Sequence, residues 1–488
     1  MAYQDLRQYI NHLEEVGQLI RIKKEVDAKL EITEIYNRVI ERGGPALLFE
    51  NVKGHRMPVL INLYGTIERV ALGLNTDESG LYEIGEFLAF LQHPEPPKGF
   101  IDAVKHLPFY ARILHLSPRR SLRAPCQEVV LKEDEIDLDQ FPILHCWPDD
   151  AAPLITWPLV ITRSPSKEDD KYNVGIYRMQ QLDKKTTIMR WLEHRGGAKH
   201  YREWMAQSKP MPVAVAIGCD PATTIAAVTP VPDQIGEYHF AGLLRKKQLD
   251  LVRCKTIDLE VPATSEIIIE GEIHPGEMAE EGPHGDHTGF YNAVESFPIF
   301  QIKCITHRRD PIYLTTTTGR PPREDAVVGL VLNKIFLPLL KEHFPEIGDF
   351  HLPMEACSYR VAVISMKKEF PGHAKRVIMG IWGFLKQFLY VKYIIIVDLD
   401  INIRKWEDVI WAISTQVDPA RDTFIIENTP IDYLDFASSE PGLGSKMGID
   451  ATTKIYPETK REWGKPIEMD PQVVQKIDQM WDELGIDR

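Results

Sequence analysis

The chain has 488 residues, 44% hydrophobic and 26% charged, enough to bury sizeable cores and to divide into two to four domains. Its formal charge of −14 excludes a generally basic nucleic-acid surface, while a local positive cleft for a phosphate or carboxylate remains open. Cys126, Cys146, Cys219, Cys254, Cys304 and Cys357 have neither zinc-knuckle spacing nor the density of a disulfide scaffold, and they fit a reducing compartment. The start, MAYQDLRQYINHLEEVG, lacks a basic region followed by an apolar segment, and no charge-free run approaches membrane-spanning length. A cytoplasmic protein is expected, with peripheral contact at the cytoplasmic face of the membrane left open.

Leu6, Tyr9, Ile10, Leu13 and Val16 recur at helical spacing until Gly17 interrupts them, and Leu19 to Ile22 reads as a short strand. A second helix is expected from Ile32 to Ile40. The runs GGPALLFENV and MPVLINLYG read as buried strands, so residues 1–115 form a small α/β domain. HPEPPKG at 93–99 punctuates it, because successive prolines remove backbone donors. Across 116–322, PLITWPLVITR, NVGIYRMQQL, TTIMRWL, MPVAVAIG, LVRCKTIDLEV, SEIIIEGEI and FPIFQIKCITHR give extended signals separated by turns, a β-rich domain. Residues 323–460 return to amphipathic segments around the strand VKYIIIVDLDIN at 391–402, a second α/β domain. In the tail, 461–488, Val474, Ile477, Met480, Trp481 and Leu484 form one helical face. That face is expected to pack on another domain or subunit; the plainer alternative is a helix packed on its own domain.

Polar residues concentrate in two places. The first joins Asn173, Tyr177 and Arg178 of NVGIYRMQ with Arg190, Trp191, His194 and Arg195 of RWLEHRGG. If strands set these segments side by side, Arg190 and Arg195 can bind a phosphate, Trp191 offers a flat surface, and the glycines permit close backbone approach. Asn173, His194 and Glu237 supply an amide oxygen, an imidazole and a carboxylate, suited to Mn²⁺ or Mg²⁺. The residues leave a plainer alternative open, with Asn173 capping a turn, His194 satisfying a local hydrogen bond and Glu237 solvated. The second cluster, MAEEGPHGDHTGFYN, holds Glu281, His284, Asp286 and His287 among glycines. Glu281 and Asp286 can share a cavity where burial and mutual charge keep one protonated while an arginine positions a substrate carboxylate. Its alternative is a surface turn of solvated acids.

Other motifs fail. PHGDHTG offers no HExxH or cysteine–histidine frame for zinc, so His284 and His287 are kept as supporting residues. No GxSxG elbow supports a hydrolase triad. GLGSKMG at 442–448 has phosphate-loop composition without completing a P-loop or a dinucleotide fingerprint, and a flexible recognition loop is its other reading.

At NVGIYRMQ, RWLEHRGG and EGPHGDHTG the chain closely resembles the UbiD carboxy-lyases, in particular the 3-polyprenyl-4-hydroxybenzoate decarboxylases of ubiquinone biosynthesis. The resemblance extends to DLRQYINHLEEVGQL, ITWPLVITR, TPVPDQIGEYHFAGLLR, GHAKRVIMG and NTPIDYLDFASSEPGLGSKMG, nearly the whole chain. It implies a multidomain α/β protein whose central split-β-barrel binds prenylated FMN between amino- and carboxyl-terminal α/β domains. Asn173, His194 and Glu237 would hold Mn²⁺, or Mg²⁺, beside the flavin phosphate. Ile176, Tyr177, Arg178, Arg190, Trp191, Leu192, Arg195 and Gly196 would surround the cofactor, with Lys375 a further phosphate-side candidate. Arg178, Glu281 and Asp286 would form the catalytic network, Asp286 in a proton-donor position that related enzymes often fill with glutamate. A homo-oligomer, a hexamer by resemblance, and contact with other ubiquinone-biosynthesis proteins are implied. Two alternatives stand: a prenylated-FMN decarboxylase of a small phenolic or heteroaromatic acid, and an FMN-binding structural or assembly protein.

Overall fold

Asp5 accepts a hydrogen bond from the Gln8 amide and opens helix α1 (Leu6–Glu15), satisfying a donor that the first helical turn would otherwise orphan. Leu6, Tyr9, Ile10 and Leu13 are buried as their spacing predicts, whereas Val16 lies just past the helix and is exposed. The computed structural model describes residues 3–92, 117–166, 172–192, 195–229, 236–357, 359–384 and 386–486, so the proline-rich boundary at 93–99 and His194 lie outside the described residues. Helix α2 (Glu31–Ile40) and strands β1 (Leu19–Ile22), β2 (Ala46–Phe49) and β3 (Val59–Ile61) follow the expected order. β1 pairs parallel with β2, and β2 antiparallel with β3. Helices α3 (Ile67–Gly73) and α4 (Glu78–Gln92) complete the amino-terminal layer.

The central region contains β4 (Arg119–Arg120), β5 (Val129–Lys132), β6 (Leu154–Ile155), β7 (Leu159–Arg163), β8 (Tyr172–Ile176), β9 (Met179–Gln181), β10 (Thr186–Met189), β11 (Met211–Ile217), β12 (Asp250–Arg253), β13 (Glu260–Pro262), β14 (Ile267–Glu281) and β15 (Glu295–His307). Nine strands form one sheet in the order β6-β9-β10-β15-β14-β11-β7-β8, with β5 on β15, while β4, β12 and β13 make a small separate sheet. Register shifts after Glu270 and after Ile273 bend the long β14–β15 pair, since an extra unpaired residue increases local twist. Gly271 is required at the first of these, because a Cβ there would lie 2.0 Å from the Gln301 carbonyl oxygen. The sheet curls into a half-barrel, in keeping with the split barrel expected from the sequence. Helices α5 (Gly196–Ala206), α6 (Pro221–Val228) and α7 (Glu237–Arg245) lie between its strands in sequence.

β16 (Tyr313–Leu314) then returns to pair parallel with β3 in the amino-terminal sheet. The long helix α8 (Glu324–His343) serves two cores. Val327, Val328, Val331, Ile335 and Phe336 join the large core shared with the amino-terminal and central regions, and Leu337 and Leu340 join the carboxyl-terminal one. The last domain is a sheet of β17 (Ile347–His351), β18 (Val361–Met366), β19 (Tyr393–Val397), β20 (Thr423–Pro430) and β21 (Leu443–Ala451), in the order β17-β18-β19-β21-β20. β18, β19 and β21 are parallel, with antiparallel strands at both edges. Alternate residues face opposite cores: Ile364, Ile394 and Ile396 meet Val377, Ile378 and Ile381 of α9 (His373–Phe384), while Val363, Ile395 and Val397 meet Val409 and Ala412 of α10 (Trp406–Gln416).

One expectation changes, and the tail helix is exposed. GLGSKMG is not a flexible loop: from Leu443 it runs in β21, and Lys446 is buried with Nζ donating to the carbonyls of Leu389 and Val391. The tail helix, α12 (Pro471–Met480) after the short α11 (Pro419–Asp422), has no buried residue. Ile477, Met480 and Trp481 of its apolar face are half-buried, and Val474 and Leu484 are exposed.

Candidate active site

Tyr177 and Arg178 join β8 to β9, and their side chains enter two different groups. Arg178 donates from Nε to Glu281 Oε1 at 2.7 Å, from Nη2 to Glu281 Oε2 at 3.1 Å and to Asn292 Oδ1 at 2.9 Å, and from Nη1 to Asp286 Oδ2 at 2.6 Å. Arg190, just after β10, donates from Nη1 to the same Glu281 Oε2 at 2.9 Å and pairs with Glu295 at 3.2 Å. Glu281 closes β14 and is fully buried, and Asp286 is 7% exposed. The alternative of solvated acids on a surface turn is thereby excluded. Two guanidinium groups sharing one buried carboxylate is an arrangement that compensates charge removed from water.

The acid loop is shaped by its own backbone. Gly282 and Gly289 have φ of +96° and +82°, and a Cβ at Gly285 would fall 2.2 Å from the Trp147 ring. The Asp286 amide donates to the Phe290 carbonyl at 3.0 Å, and that of Gly289 to the Asp286 carbonyl at 2.8 Å. Gln180 Oε1 accepts from the Gly282 amide at 2.8 Å and lies 2.7 Å from His284 Nε2, while Asp150 accepts from the Gly285 amide. His287 lies with Nδ1 2.9 Å from Asp286 Oδ1 and Nε2 3.2 Å from Asp432 Oδ2. Burial works to raise the Asp286 carboxyl, but the Arg178 guanidinium and the His287 contact outweigh it and hold the group well below the usual carboxylate range. Burial opposes a charged His287, yet hydrogen bonds to Asp286 and Asp432 push it up to about 10.

The second group gathers on the other side of Tyr177. Its hydroxyl accepts from the Gly197 amide at 3.0 Å and from Asn173 Nδ2 at 3.5 Å. A Cβ at Gly196 would lie 1.9 Å from Asn173 Oδ1, and one at Gly197 would lie 3.0 Å from Trp191 Nε1. Two glycines thus bring the start of α5, capped by Arg195, against the strand, where exposed amides favour an anion. The Trp191 ring meets Tyr177 edge-on at 6.3 Å, and its Nε1 is buried without a hydrogen-bond partner among the described residues. Glu237 opens α7; burial pushes its carboxyl up to about 7 against hydrogen bonds from its own amide and that of Val174. Arg195 lies close enough to oppose the upward push of burial on the hydroxyls of Tyr177, Tyr359 and Tyr390.

The structure therefore brings together Arg178, Arg190, Glu281 and Asp286 on one side and Asn173, Tyr177, Trp191, Arg195, Gly196 and Glu237 on the other. Ile176 and Leu192 are half-buried beside them in sequence. Lys375 stands apart: α9 carries it to the carboxyl-terminal domain, where Nζ donates to the Arg421 carbonyl at 3.1 Å. Among the described residues no group of three or more His, Cys, Asp and Glu side chains converges as a metal site. Residues that the sequence did not single out include Gln180, Asn292, Asp432 and Tyr433, whose ring lies 5.3 Å from the Arg190 guanidinium carbon.

Residues 10–88, 118–321 and 326–451 match, in turn, the N-terminal, Rift-related and C-terminal domain models of 3-octaprenyl-4-hydroxybenzoate carboxy-lyase. The protein is a carboxy-lyase, an enzyme that releases carbon dioxide from an acid. It belongs to the UbiD family. Among solved structures it is similar to the vanillic acid decarboxylase of Sedimentibacter hydroxybenzoicus in its closed form, at 30% identity over 99% of both chains and a TM-score of 0.86. It is also similar to the UbiD-class enzyme HmfF of Pelotomaculum thermopropionicum in complex with FMN, at 30% identity over 95% of this chain and 97% of that one, TM-score 0.79. An evolved dimeric form of HmfF in complex with prenylated FMN matches at 30% identity over 97% of this chain and 98% of that one, with a TM-score of 0.77.

Proposed function

We propose that this enzyme decarboxylates 3-polyprenyl-4-hydroxybenzoate to a 2-polyprenylphenol, without net redox change, in ubiquinone biosynthesis. The observation that carries the chemistry is the buried Arg178 forked between Glu281 and Asp286. Prenylated FMN fits the residues present: among the described residues Trp191 Nε1 is buried without a partner, Gly196 and Gly197 bring the start of α5 close against Asn173 and Trp191, and burial pushes up the half-buried Glu237 carboxyl, which a cation beside it would offset. Ile176, Tyr177, Arg178, Arg190, Trp191, Leu192, Arg195 and Gly196 would hold the flavin. Asn173, His194 and Glu237 would hold Mn²⁺, with Mg²⁺ second, against its phosphate. When bound, the prenylated flavin supplies an electrophilic ring that takes up the electron pair released with carbon dioxide. Arg178 binds the substrate carboxylate and orients it. Glu281 fixes Arg178 and spreads charge between it and Arg190. Asp286 carries the proton on its carboxyl oxygen to the carbon that has lost carbon dioxide.

The name of the vanillic acid decarboxylase favours a second reading, a small phenolic acid as substrate. The deciding experiment loads the protein with prenylated FMN and Mn²⁺ and follows carbon dioxide release from prenylated and unprenylated 4-hydroxybenzoate and from vanillate. Turnover of the prenylated acid alone is expected; turnover of vanillate alone moves the assignment. No described helix is long and apolar enough to cross a membrane, and a prenylated substrate would draw the protein to the surface of one. The α12 face, none of whose residues is fully buried, supports a homo-oligomer, taken here as a hexamer, which the mass of the native assembly decides.

A further inference from the structure

We propose that His287 is a positioning residue for the reaction, a link through which the carboxyl-terminal domain sets the place of Asp286. This rests on Asp286 being the acid of the proposed function.

The imidazole is held between two domains. On the acid-loop side, Nδ1 lies 2.9 Å from Asp286 Oδ1, and the His287 backbone amide donates to that same oxygen at 2.7 Å. On the carboxyl-terminal side, Nε2 lies 3.2 Å from Asp432 Oδ2 and 3.1 Å from the Tyr359 hydroxyl. Asp432 is itself fixed: Tyr359 donates to Oδ2 at 2.6 Å, Arg360 donates to it at 3.2 Å, and the Leu434 amide donates to Oδ1 at 2.9 Å. A neutral imidazole has one donor and can satisfy only one of the two carboxylates, whereas the imidazolium satisfies both. The charged groups around the ring agree. Asp286 faces it with Arg178 behind, Asp432 faces it with Arg360 behind, and Asp435, paired with Arg360 and Lys392, lies beyond. From α8, half-buried Asp325 is near enough for His287 to oppose the upward push of burial on its carboxyl.

The same two loops touch at a second aromatic contact, Phe290 with Phe436 at 6.0 Å edge-on, and Tyr433 reaches Arg190. His287 is the polar centre of this contact and the part bonded directly to Asp286. Without Asp432, the imidazole keeps Asp286 on its own loop and, across the domain contact, only the neutral Tyr359 hydroxyl. Asp286 then keeps Arg178, the very group a substrate carboxylate would claim, and the amide and ring of a His287 that no carboxylate anchors across the domain contact.

The test uses the full chain with His287→Gln, the near-isosteric Asp432→Asn, and both together. Amide hydrogen exchange at 284–292 and 431–438 is measured without cofactor, and kcat, KM and solvent deuterium in the phenol product are measured after loading with prenylated FMN and Mn²⁺. Each single change should speed exchange in both loops and lower kcat by about 10- to 100-fold, the usual loss when a supporting contact is removed, with KM nearly unchanged. The double variant should be no worse than the poorer single one, because both remove the same link. Losses that multiply in the double variant, or loops whose exchange is unchanged, overturn the proposal. Near-normal turnover of loaded Asp286→Asn would instead sink the acid assignment, and the exchange data, taken without cofactor, separate that failure from this one.

Discussion

Glu281→Gln keeps the shape of a side chain on which two arginines depend and removes its charge. Arg178 gives Glu281 two hydrogen bonds and Arg190 a third, with side-chain exposures of 0% for the acid, 12% for Arg178 and 5% for Arg190. An amide oxygen can still accept on one side, but the amide nitrogen turns donors toward guanidinium donors. Breaking one partner out of a buried pair costs roughly 3–5 kcal/mol. Arg178 retains Asp286 and Asn292, and Arg190 retains Glu295, so the lower end, about 3 kcal/mol, is expected. For a domain of this size 1 kcal/mol shifts Tm by roughly 2–4 °C, which gives a fall of roughly 6–12 °C in the transition that unfolds the central sheet. Scanning calorimetry resolved into separate transitions is the assay, since several domains need not melt as one. Glu295→Gln is the control: its side chain is 40% exposed, and a solvent-screened pair is worth less than about 1 kcal/mol. A Glu281→Gln protein that melts within 2 °C of the parent, or a Glu295→Gln protein that falls as far, would refute the shared-carboxylate account.

Asp286→Asn should keep the fold and the flavin while slowing decarboxylation by about 100-fold or more, the range for loss of a general acid, with less solvent deuterium in the product; near-normal turnover argues against the acid role. Substrate binding to the parent near neutral pH should take up a proton that Asp286→Asn does not, measured by calorimetric titration in buffers of different ionisation enthalpy. Asn173→Ala with Glu237→Gln should lower Mn²⁺ and prenylated-FMN retention without moving the melt, read by metal analysis and flavin absorbance. Because burial pushes Glu237 up to about 7, metal competes with a proton there, and apparent affinity should weaken as pH falls below that value. Glu324 is fully buried, and desolvation pushes it up to about 7 against hydrogen bonds that include the amides of Tyr64 and Asn62. Its folded form holds a proton more tightly than the unfolded chain. Stability should therefore decline as pH rises from the unfolded carboxyl value to about 7, by about 3 kcal/mol, and Glu324→Gln should flatten that slope in urea titrations.

The elements were legible where a single face is buried. α1 and α2 show helical spacing because each packs one stripe, and the central strands show extended runs broken by turns. α8 was harder, since it serves two cores and is apolar on several sides. Nothing in a two-residue strand announces that Tyr313 and Leu314 return to the amino-terminal sheet. GLGSKMG misled because glycine is usually loop material; in β21, Gly448 is there because a Cβ would lie 2.6 Å from the Phe424 ring. The site was legible as two compositions, and the resemblance to a known family supplied the roles. Pairing was not. Arg178 and Glu281 are separated by 103 positions and His287 and Asp432 by 145, and neither aspartate of IDYLDFA carries a signal of what it faces.

In the proposed function a depressed carboxyl, Asp286, has to serve as an acid, and the charge around it offers an account of how. Without substrate, Arg178 and His287 hold it ionised, which is the wrong state for giving a proton away. A substrate carboxylate that binds Arg178 brings a negative charge into the same buried space and competes for the guanidinium that keeps Asp286 anionic. Both effects raise the affinity of Asp286 for a proton. Carbon dioxide would leave neutral, its bonding pair drawn toward the flavin of the proposed function, and the carbon that has lost it is where the proton is needed. Arg178 would thus tie the protonation of the proposed acid to the presence of the group to be removed, while Glu281 and His287 would keep both side chains in place through the change. On this account the depressed Asp286 of the substrate-free protein is the resting half of the cycle, and proton uptake on binding is its first step.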